Sequence, residues 1–165
     1  MSNTQANIFS IQTQVWPLVL VRVGIGYWFW YFGSRKLTGM LDPTNKRLLS
    51  QMTNIVKDLP PGWYQNLAAD YIAPNAVFFA NLVMFGELAV AIALILGFMT
   101  RPALLGAIFM NLNYQLYSGL KTGPSTYANL IFLMAEVCLL FTLVGRSFGL
   151  DYFLHKKFPR LRFLF

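Results

Sequence analysis

Four apolar runs separated by polar segments dominate the hydropathy pattern, and they predict helices at about residues 15–37, 76–100, 102–118 and 127–148. The second run is the clearest, because residues 76–99 would span roughly 36 Å as a helix, more than the roughly 30 Å hydrocarbon core of a bilayer. Short connections place successive helices antiparallel. The pattern therefore predicts an all-α membrane protein, a single domain over residues 1–165 built as an antiparallel bundle of four transmembrane helices.

Residues 42–70, between the first two runs, are more polar and too long for a simple turn. Asp42 and Pro43 match the N-cap and first turn of a helix, and the apolar residues that follow fall on one helical face. A Pro-Pro-Gly turn at residues 60–62 precedes a second short helix. We expect this segment to form an amphipathic, interfacial extracytoplasmic cap, serving either as a packing lid or as a gate for substrate.

A stripe of residues spaced three or four apart marks one face of the first predicted helix: Arg22, Gly26, Phe29, Gly33 and Lys36. The glycines in this stripe would let a neighbouring helix approach closely. Pro17 suits the first turn of this helix, with residues 1–14 as a polar lead-in.

Ionisable residues lie inside the apolar runs, where a charge is costly in free energy unless an opposite charge or a hydrogen-bonding group lies beside it. Glu87, Asn111 and Glu136 fall near the middle of their runs, and Arg22 lies about four residues, or roughly 6 Å, from the same depth. We expect these residues to meet, with Arg22 and Glu87 as an intramembrane ion pair. Glu87, Arg22 and Glu136 are therefore the candidate catalytic residues, handling protons or an anion. The same groups could instead serve only to hold the helices together.

A polar trail leads from this cluster towards the end of the bundle that carries the cap, and it predicts a water-accessible funnel. The trail consists of Asn81, Tyr114, Gln115, Asn129 and Lys36. Cations at its mouth would attract a small anion. The candidate substrate-binding residues of this funnel are Lys36, Arg35, Asn81, Asn111 and Tyr114.

The composition fits a membrane chain, with 56% hydrophobic, 16% aromatic and 12% charged residues. The formal net charge of +7 is typical of cytoplasmic flanks rather than of a nucleic-acid surface, so we expect no nucleic-acid partner. Lys and Arg are equally numerous on the two predicted sides of the membrane. The cations clustered in the tail, residues 151–165, favour cytoplasmic termini. We expect this basic aromatic tail to lie on an anionic membrane surface or to bind a partner.

The single cysteine and the single histidine limit the possible chemistry. Cys138 excludes a disulfide within the chain and a thiolate metal cluster, and we expect it to be a buried packing residue. His155 alone cannot provide two axial ligands for a b-type haem. We therefore expect no metal site and no covalently bound cofactor, so a redox step would use a diffusible quinone or the cofactor of a partner.

Several short motifs cover nearly the whole chain: Arg22-x3-Gly26, Gly33-x2-Lys36-Leu37, Gly86-Glu87, Leu96-Gly97-x3-Arg101 and Gly149-x-Asp151. In this order and spacing they resemble the DoxX/DoxD family of small four-helix membrane proteins. The long segment after the first helix is similar to the DoxD branch, the membrane subunit of thiosulfate:quinone oxidoreductase.

The resemblance implies a multi-pass protein of the prokaryotic cytoplasmic (inner) membrane that helps to oxidise thiosulfate to tetrathionate and passes the electrons to quinone. It also implies that the functional positions of the family correspond to Arg22, Lys36, Glu87, Arg101 and Asp151 in this chain. Arg101 thereby joins the substrate-binding candidates.

Two classes of function remain open. The first is an enzyme subunit that couples a small sulfur anion to quinone. The second is a non-catalytic accessory subunit of a larger respiratory or photosynthetic membrane complex. A small-solute carrier is a third class, for which the sequence offers no paired broken helices. The expected partners are membrane lipids and other membrane subunits.

Overall fold

The computed structural model describes residues 3–41, 47–118, 124–142, 144–161 and 164, and every regular element in them is helical. In chain order the elements are α1 (Asn3–Leu41), α2 (Arg47–Thr53), α3 (Ile55–Asp58), α4 (Trp63–Leu67), a π-helix (Ala68–Ile72), α5 (Ala76–Leu96), α6 (Thr100–Ser118), α7 (Pro124–Leu140), α8 (Val144–Ser147), α9 (Asp151–Lys157) and a 3-10 turn (Pro159–Leu161). The all-helical prediction is therefore confirmed for the described residues.

Two stretches of these residues are long and apolar enough to cross a membrane, Val15–Thr38 within α1 and Ala76–Leu96, which is α5. A third apolar stretch, Thr126–Leu140 within α7, is shorter. With 21 residues, α5 is about 31 Å long and matches the thickness of a hydrocarbon core. Its outer face exposes large apolar side chains such as Phe78 and Phe85.

α1 is longer than the sequence predicted. It begins at Asn3, so residues 3–14 are helical rather than a polar lead-in, and Pro17 lies inside the helix instead of in its first turn. The lead-in contains Ala and Gln, which favour helix. Its polarity shows only that it lies outside the apolar run, and a polar segment can still be helical. The predicted N-cap at Asp42 and Pro43 lies outside the described residues.

α1 and α5 pack antiparallel through glycines on α1. A Cβ at Gly33 would lie 3.2 Å from the Cβ of Glu87, and a Cβ at Gly26 would lie 3.1 Å from the Cβ of Leu94. Backbones this close leave no room for a larger residue, so the glycines fix the register of the two helices. The predicted stripe is confirmed as the buried face of α1, with Lys36 half-buried at its end.

We expect Gly26→Ala to lower the free energy of unfolding by about 1–3 kcal/mol through overpacking. The added methyl group would lie 2.9 Å from Cγ1 of Ile95 and 3.1 Å from its backbone nitrogen. Gly24 is the matched control, because nothing lies within 4 Å of a Cβ there, and Gly24→Ala should leave stability unchanged or slightly higher. Thermal unfolding in detergent compares the two variants. Equal midpoints would contradict the close α1–α5 packing.

Two residues with positive φ form the short connection between α5 and α6. The helix predicted over residues 76–100 ends at Leu96, because Gly97 adopts φ 62° and closes the helix as a left-handed C-cap. Met99 also has a positive φ, 46°. α6 therefore starts at Thr100, close to the predicted start at residue 102, and ends at residue 118 as predicted.

The fourth predicted helix, residues 127–148, is divided into α7 and α8. The Thr142 hydroxyl donates to the Leu139 carbonyl at 2.7 Å, and the Thr142 backbone N–H donates to the same carbonyl at 3.0 Å. This tight turn replaces the next helical hydrogen bond and ends α7 at Leu140.

The cap consists of α2, α3, α4 and the π-helix, and it covers the end of the long helices where α1 finishes and α5 begins. Ile55, Leu59 and Ala68 are buried together, and Tyr117 of α6 packs against them. Met52 of α2 packs against a small cluster on α5. The segment is thus helical, and its place on a membrane surface stays a prediction.

The long helices and α8 enclose one apolar core, whose buried members include Ile25, Phe29, Val90, Ala91, Leu94, Leu104, Ala107, Leu139 and Val144. Cys138 is not among them. The prediction of a buried cysteine is wrong, because Cys138 is exposed on the outer face of α7 beside Met134 and Phe141. In an apolar helix the sequence alone does not distinguish the face towards lipid from the face towards the core.

Candidate functional site

A polar cluster of the buried Glu87 and the half-buried Lys36 and Tyr114 joins α1, α5 and α6. Glu87 is 2% exposed, and its Oε1 accepts hydrogen bonds from the Lys36 ammonium and from the Tyr114 hydroxyl. The Lys36 Nζ also lies 5.4 Å from the centroid of the Tyr114 ring, within cation–π range. These charge-assisted contacts offset part of the cost of burying the carboxylate.

The helix geometry explains why Lys36 reaches Glu87. Gly33 faces Glu87 directly, and a side chain one turn further along α1 leans back towards the helix N-terminus, which brings Lys36 to the same carboxylate. The second oxygen of Glu87, Oε2, is buried and has no hydrogen-bond partner among the described residues. The carboxyl group therefore keeps the capacity to accept a further hydrogen bond or to hold a proton.

Lys36 and Tyr114 border a cavity of about 630 Å³ between α5 and α6, beneath the cap. This volume is within the range of about 300–1,000 Å³ that is typical of small-molecule sites. Most of the lining is apolar, with residues such as Ile72, Phe79, Leu82, Val83, Val90 and Met110. The polar lining residues are Lys36, Gln51, Tyr64, Asn113, Tyr114 and Tyr117. A largely apolar space with a few polar groups suits an apolar ligand that carries one polar end.

The cap forms the roof of this cavity. Met52 and Ile55 of the cap line it, and the Tyr64 hydroxyl donates to Oδ1 of Asn113 on α6 at 3.2 Å. Burial raises the pKa of Tyr64 above its ordinary value, so the hydroxyl stays protonated and remains a donor. The Tyr64–Asn113 hydrogen bond therefore holds the cap against α6.

The cavity also reaches the outer surface between α5 and α6. Leu82, Ala89 and Phe109 line it and are themselves exposed. A molecule dissolved among acyl chains could therefore enter from the side without crossing the cap. This geometry favours a lipid-soluble ligand over a water-soluble one.

Arg22 belongs to a second polar cluster, at the C-terminal end of α5, away from the cap. Its guanidinium donates to the carbonyl of Val144 at 3.0 Å and to the carbonyl of Phe148 at 2.7 Å. It also interacts electrostatically with Asp151. Arg22 thus binds the chain segment that follows α7.

Asp151 completes this cluster. Its carboxylate accepts the backbone N–H groups of Met99 at 2.6 Å and Thr100 at 2.8 Å, which caps the N-terminus of α6 with a negative charge. A Cβ at Gly145 would overlap both Asp151 Oδ2 and Thr100 Oγ1, so glycine is required there. The cluster ties the segment after α7 to the α5–α6 connection, which is a structural role.

The predicted ion pair between Arg22 and Glu87 is therefore wrong. A Cβ at Gly97 would lie 2.7 Å from a guanidinium nitrogen of Arg22, so Arg22 sits beside the end of α5, ten residues or about 15 Å from Glu87. The prediction aligned the middles of the two apolar runs and so placed residue 26 level with Glu87. The packing places Gly33 there instead.

Asn111 and Glu136 form a third polar contact. Both are buried, and the Asn111 amide donates to Glu136 Oε1 at 2.7 Å, as their predicted proximity implied. Neither is among the described residues that line the cavity. The four ionisable and polar residues expected to meet are therefore distributed over three separate contacts.

The remaining candidates lie away from the cavity among the described residues. Arg35 is exposed and donates to the Tyr31 hydroxyl, while Asn81 donates to the Val77 carbonyl of its own helix at 2.9 Å. Arg101 is half-buried in the first turn of α6, at the Asp151 end. Of the proposed substrate-binding set, only Lys36 and Tyr114 line this largely apolar cavity, so the cavity differs from the predicted polar funnel, which stays a prediction.

Tyr64 and Asn113 are lining residues that the sequence reasoning missed, although a signal was present. The cavity-lining residues of α6 recur at helical spacing, and so do those of α5: Gly106, Phe109, Met110, Asn113, Tyr114 and Tyr117 on α6, and Phe79, Leu82, Val83, Gly86, Ala89 and Val90 on α5. Each set marks one helical face, with a glycine where a larger residue would narrow the space.

The comparison with known families agrees with the motifs in the sequence. A family model described as TQO small subunit DoxD matches residues 16–163, nearly the whole chain. The matched region contains both the Lys36, Glu87 and Tyr114 cluster and the Arg22 and Asp151 cluster. No solved structure matches the chain.

Proposed function

The chain belongs to the DoxD family, and from this premise we propose that it is the quinone-binding membrane subunit of a thiosulfate:quinone oxidoreductase, with the cavity between α5 and α6 as its quinone site. In this proposal α1, α5, α6 and α7 all cross the prokaryotic cytoplasmic membrane as an antiparallel bundle. Both termini then face the cytoplasm and the cap faces outwards, because the cations cluster in the tail.

One observation carries the proposal. The cavity is apolar and open to the side, and two of its few polar lining residues, Lys36 and Tyr114, share the buried carboxylate of Glu87. A quinone is an apolar ring and chain with carbonyl oxygens that need hydrogen-bond donors. An apolar pocket with donors supported by a carboxyl group supplies both requirements.

The chemistry of the cluster suits proton transfer to a bound quinone. Reduction of a quinone to a quinol adds a pair of electrons and a pair of protons. Lys36 has three N–H donors, so it can donate to a quinone oxygen while it stays bonded to Glu87. Tyr114 has one O–H, which it donates to Glu87, so it can donate to the quinone only when a protonated Glu87 donates to it in turn. The proton would reside on Oε2 of Glu87, which has no hydrogen-bond partner among the described residues.

The electrons would come from the sulfur anion, when a pair of thiosulfate ions is joined to form tetrathionate. The description of the family as a small subunit supports at least one further subunit in the complex. We assign the binding of the anion to that partner or to its contact with this chain, because Arg35 lies away from the cavity. The contribution of this chain is then the quinone and its protons.

Filling the cavity tests the proposal. We expect Ala89→Trp to raise the KM for quinone by at least about tenfold and to lower the quinone retained after purification, because the indole would occupy the cavity. Ile92→Trp is the matched control, since Ile92 is exposed on the same helix and is not among the described lining residues. Both variants are assayed in the complex as purified in mild detergent, with thermal unfolding as the check on folding.

The alternative function gives a different result in the same experiment. A non-catalytic accessory subunit would copurify with a large cofactor-bearing assembly whose activity is indifferent to Ala89→Trp. If Ala89→Trp and Ile92→Trp retain equal amounts of quinone and react equally fast, the cavity is not the quinone site.

A further inference from the structure

The tail is anchored at the end of α5. The backbone N–H of Leu150 donates to the Leu96 carbonyl at 3.1 Å, and the N–H of Asp151 donates to the Gly97 carbonyl at 2.9 Å. The buried carboxylate of Asp151 adds the α6 cap described above. The first residue of α9 is therefore fixed relative to the long helices, and the rest of the tail projects from a defined position.

Beyond Asp151 the tail exposes cations and aromatic rings together. The exposed members are Tyr152, Phe153, Lys156, Lys157, Phe158 and Arg160. The Lys156 Nζ lies 4.0 Å from the centroid of the Tyr152 ring, and the Lys157 Nζ lies 5.7 Å from that of Phe158. Residues 152–165 contain no Asp or Glu, and the one acid of the tail, Asp151, is buried against α6, so no acid of the tail lies beside these cations.

The exposed apolar surface of the long helices continues onto the tail. Leu96 and Phe98, at the end of α5, are exposed, and so is Leu150, whose backbone bonds to Leu96. Phe153 follows on α9 and is 66% exposed. A surface that faces acyl chains along α5 thus passes directly into one that carries ammonium groups.

We propose that the tail binds the anionic phospholipid headgroups of the adjacent leaflet. The rings of Phe153 and Phe158 enter the boundary of the acyl chains, and Lys156, Lys157 and Arg160 contact the phosphate level above them. An acidic protein would match the charge, but it would not require exposed rings continuous with the apolar face of α5. This inference is independent of the quinone proposal, because none of the described tail residues lines the cavity.

The test compares lipid retention in two variants of the full chain. The protein is reconstituted into nanodiscs of equal phosphatidylcholine and phosphatidylglycerol, released into mild detergent, and its bound lipids are measured by native mass spectrometry. Lys156→Gln with Lys157→Gln removes the charge, and Lys156→Arg with Lys157→Arg keeps it. Each cation near an anionic surface contributes about 1 kcal/mol, so the Gln variant should lose the preference for phosphatidylglycerol by up to roughly 30-fold.

We expect the wild-type chain and the Arg variant to retain phosphatidylglycerol preferentially, with a preference that falls as salt is raised. Thermal unfolding in phosphatidylcholine alone should be the same for all three proteins, because the substituted side chains are exposed. Equal lipid preference in the wild type and the Gln variant would overturn the proposal. So would a wild type without preference whose Gln variant loses a copurifying acidic subunit, since the tail would then bind protein.

Discussion

Glu87→Gln should lower the turnover of thiosulfate-dependent quinone reduction by about 100-fold or more while the protein stays folded, because general acid–base groups contribute about 10²–10⁴-fold. Glutamine keeps the shape of glutamate, and its carbonyl oxygen can still accept hydrogen bonds from Lys36 and Tyr114. It cannot take up or release a proton. The measurement is quinone reduction by the complex as purified, beside thermal unfolding of the same preparation.

A double variant separates the chemical role of this carboxyl group from a structural one. Lys36→Met alone should destabilise the protein by about 3 kcal/mol, because it leaves a buried carboxylate without its cation. Lys36→Met with Glu87→Leu removes both charges and should restore stability, since a buried ion pair contributes little net free energy of folding. This double variant should remain inactive. Full activity in a stable double variant would show that the pair serves only to pack α1 on α5.

The apolar runs predicted where the long helices lie, because apolar length and spacing decide them, but they missed the extension of α1 to Asn3 and the break between α7 and α8. The stripe on α1 was predicted correctly from its spacing of three and four, and Gly26 and Gly33 pack as that spacing implied. What the sequence could not provide was the depth of one helix relative to another. The middle of the apolar run placed residue 26 level with Glu87, and the middle of the full α1 would place residue 22 there, yet Gly33 faces Glu87. The relative depth of α1 and α5 is therefore set by the close contacts at Gly26 and Gly33 and not by the midpoints of the helices.

This error in depth accounts for most of the error in the site. Glu87 was predicted as the central acid, and the packing gives it Lys36 in place of Arg22. Lys36 was predicted to lie at the mouth of a funnel, ten residues along α1 from residue 26, the level expected for Glu87. Lining residues such as Asn113 are set by which faces of α5 and α6 turn towards each other. These faces carry a helical spacing in the sequence, but the spacing alone does not say which helix each face packs against.

Asp151→Ala should lower the free energy of unfolding by about 3–5 kcal/mol, the range found when one partner of a buried charge pair is removed. The Asp151 carboxylate compensates the charge of the buried Arg22 and accepts hydrogen bonds from the backbone N–H groups of Met99 and Thr100. The change therefore leaves an uncompensated guanidinium and an uncapped α6 together. Thermal unfolding in detergent and the abundance of the protein in membranes measure the loss. Asp70→Ala is the matched control, since Asp70 is exposed on the π-helix and its removal should change stability by less than about 0.5 kcal/mol.

A double-mutant cycle then divides the two roles of Asp151. Arg22→Met with Asp151→Ala removes the stranded charge but leaves α6 uncapped, so it should recover part of the stability lost in Asp151→Ala and never all of it. The remaining deficit contains the helix cap, about 1–2 kcal/mol, and the lost hydrogen bonds from Arg22 to the carbonyls of Val144 and Phe148, which Arg22→Met alone measures. If the double variant is no more stable than Asp151→Ala, Arg22 and Asp151 do not interact, and Arg22 acts only through the carbonyls of Val144 and Phe148. Quinone reduction per folded molecule should be nearly unchanged in both variants, because this cluster lies about 15 Å from Glu87 along α5. A selective loss of turnover at full stability would instead return Arg22 to the catalytic role that its place in the first apolar run had predicted.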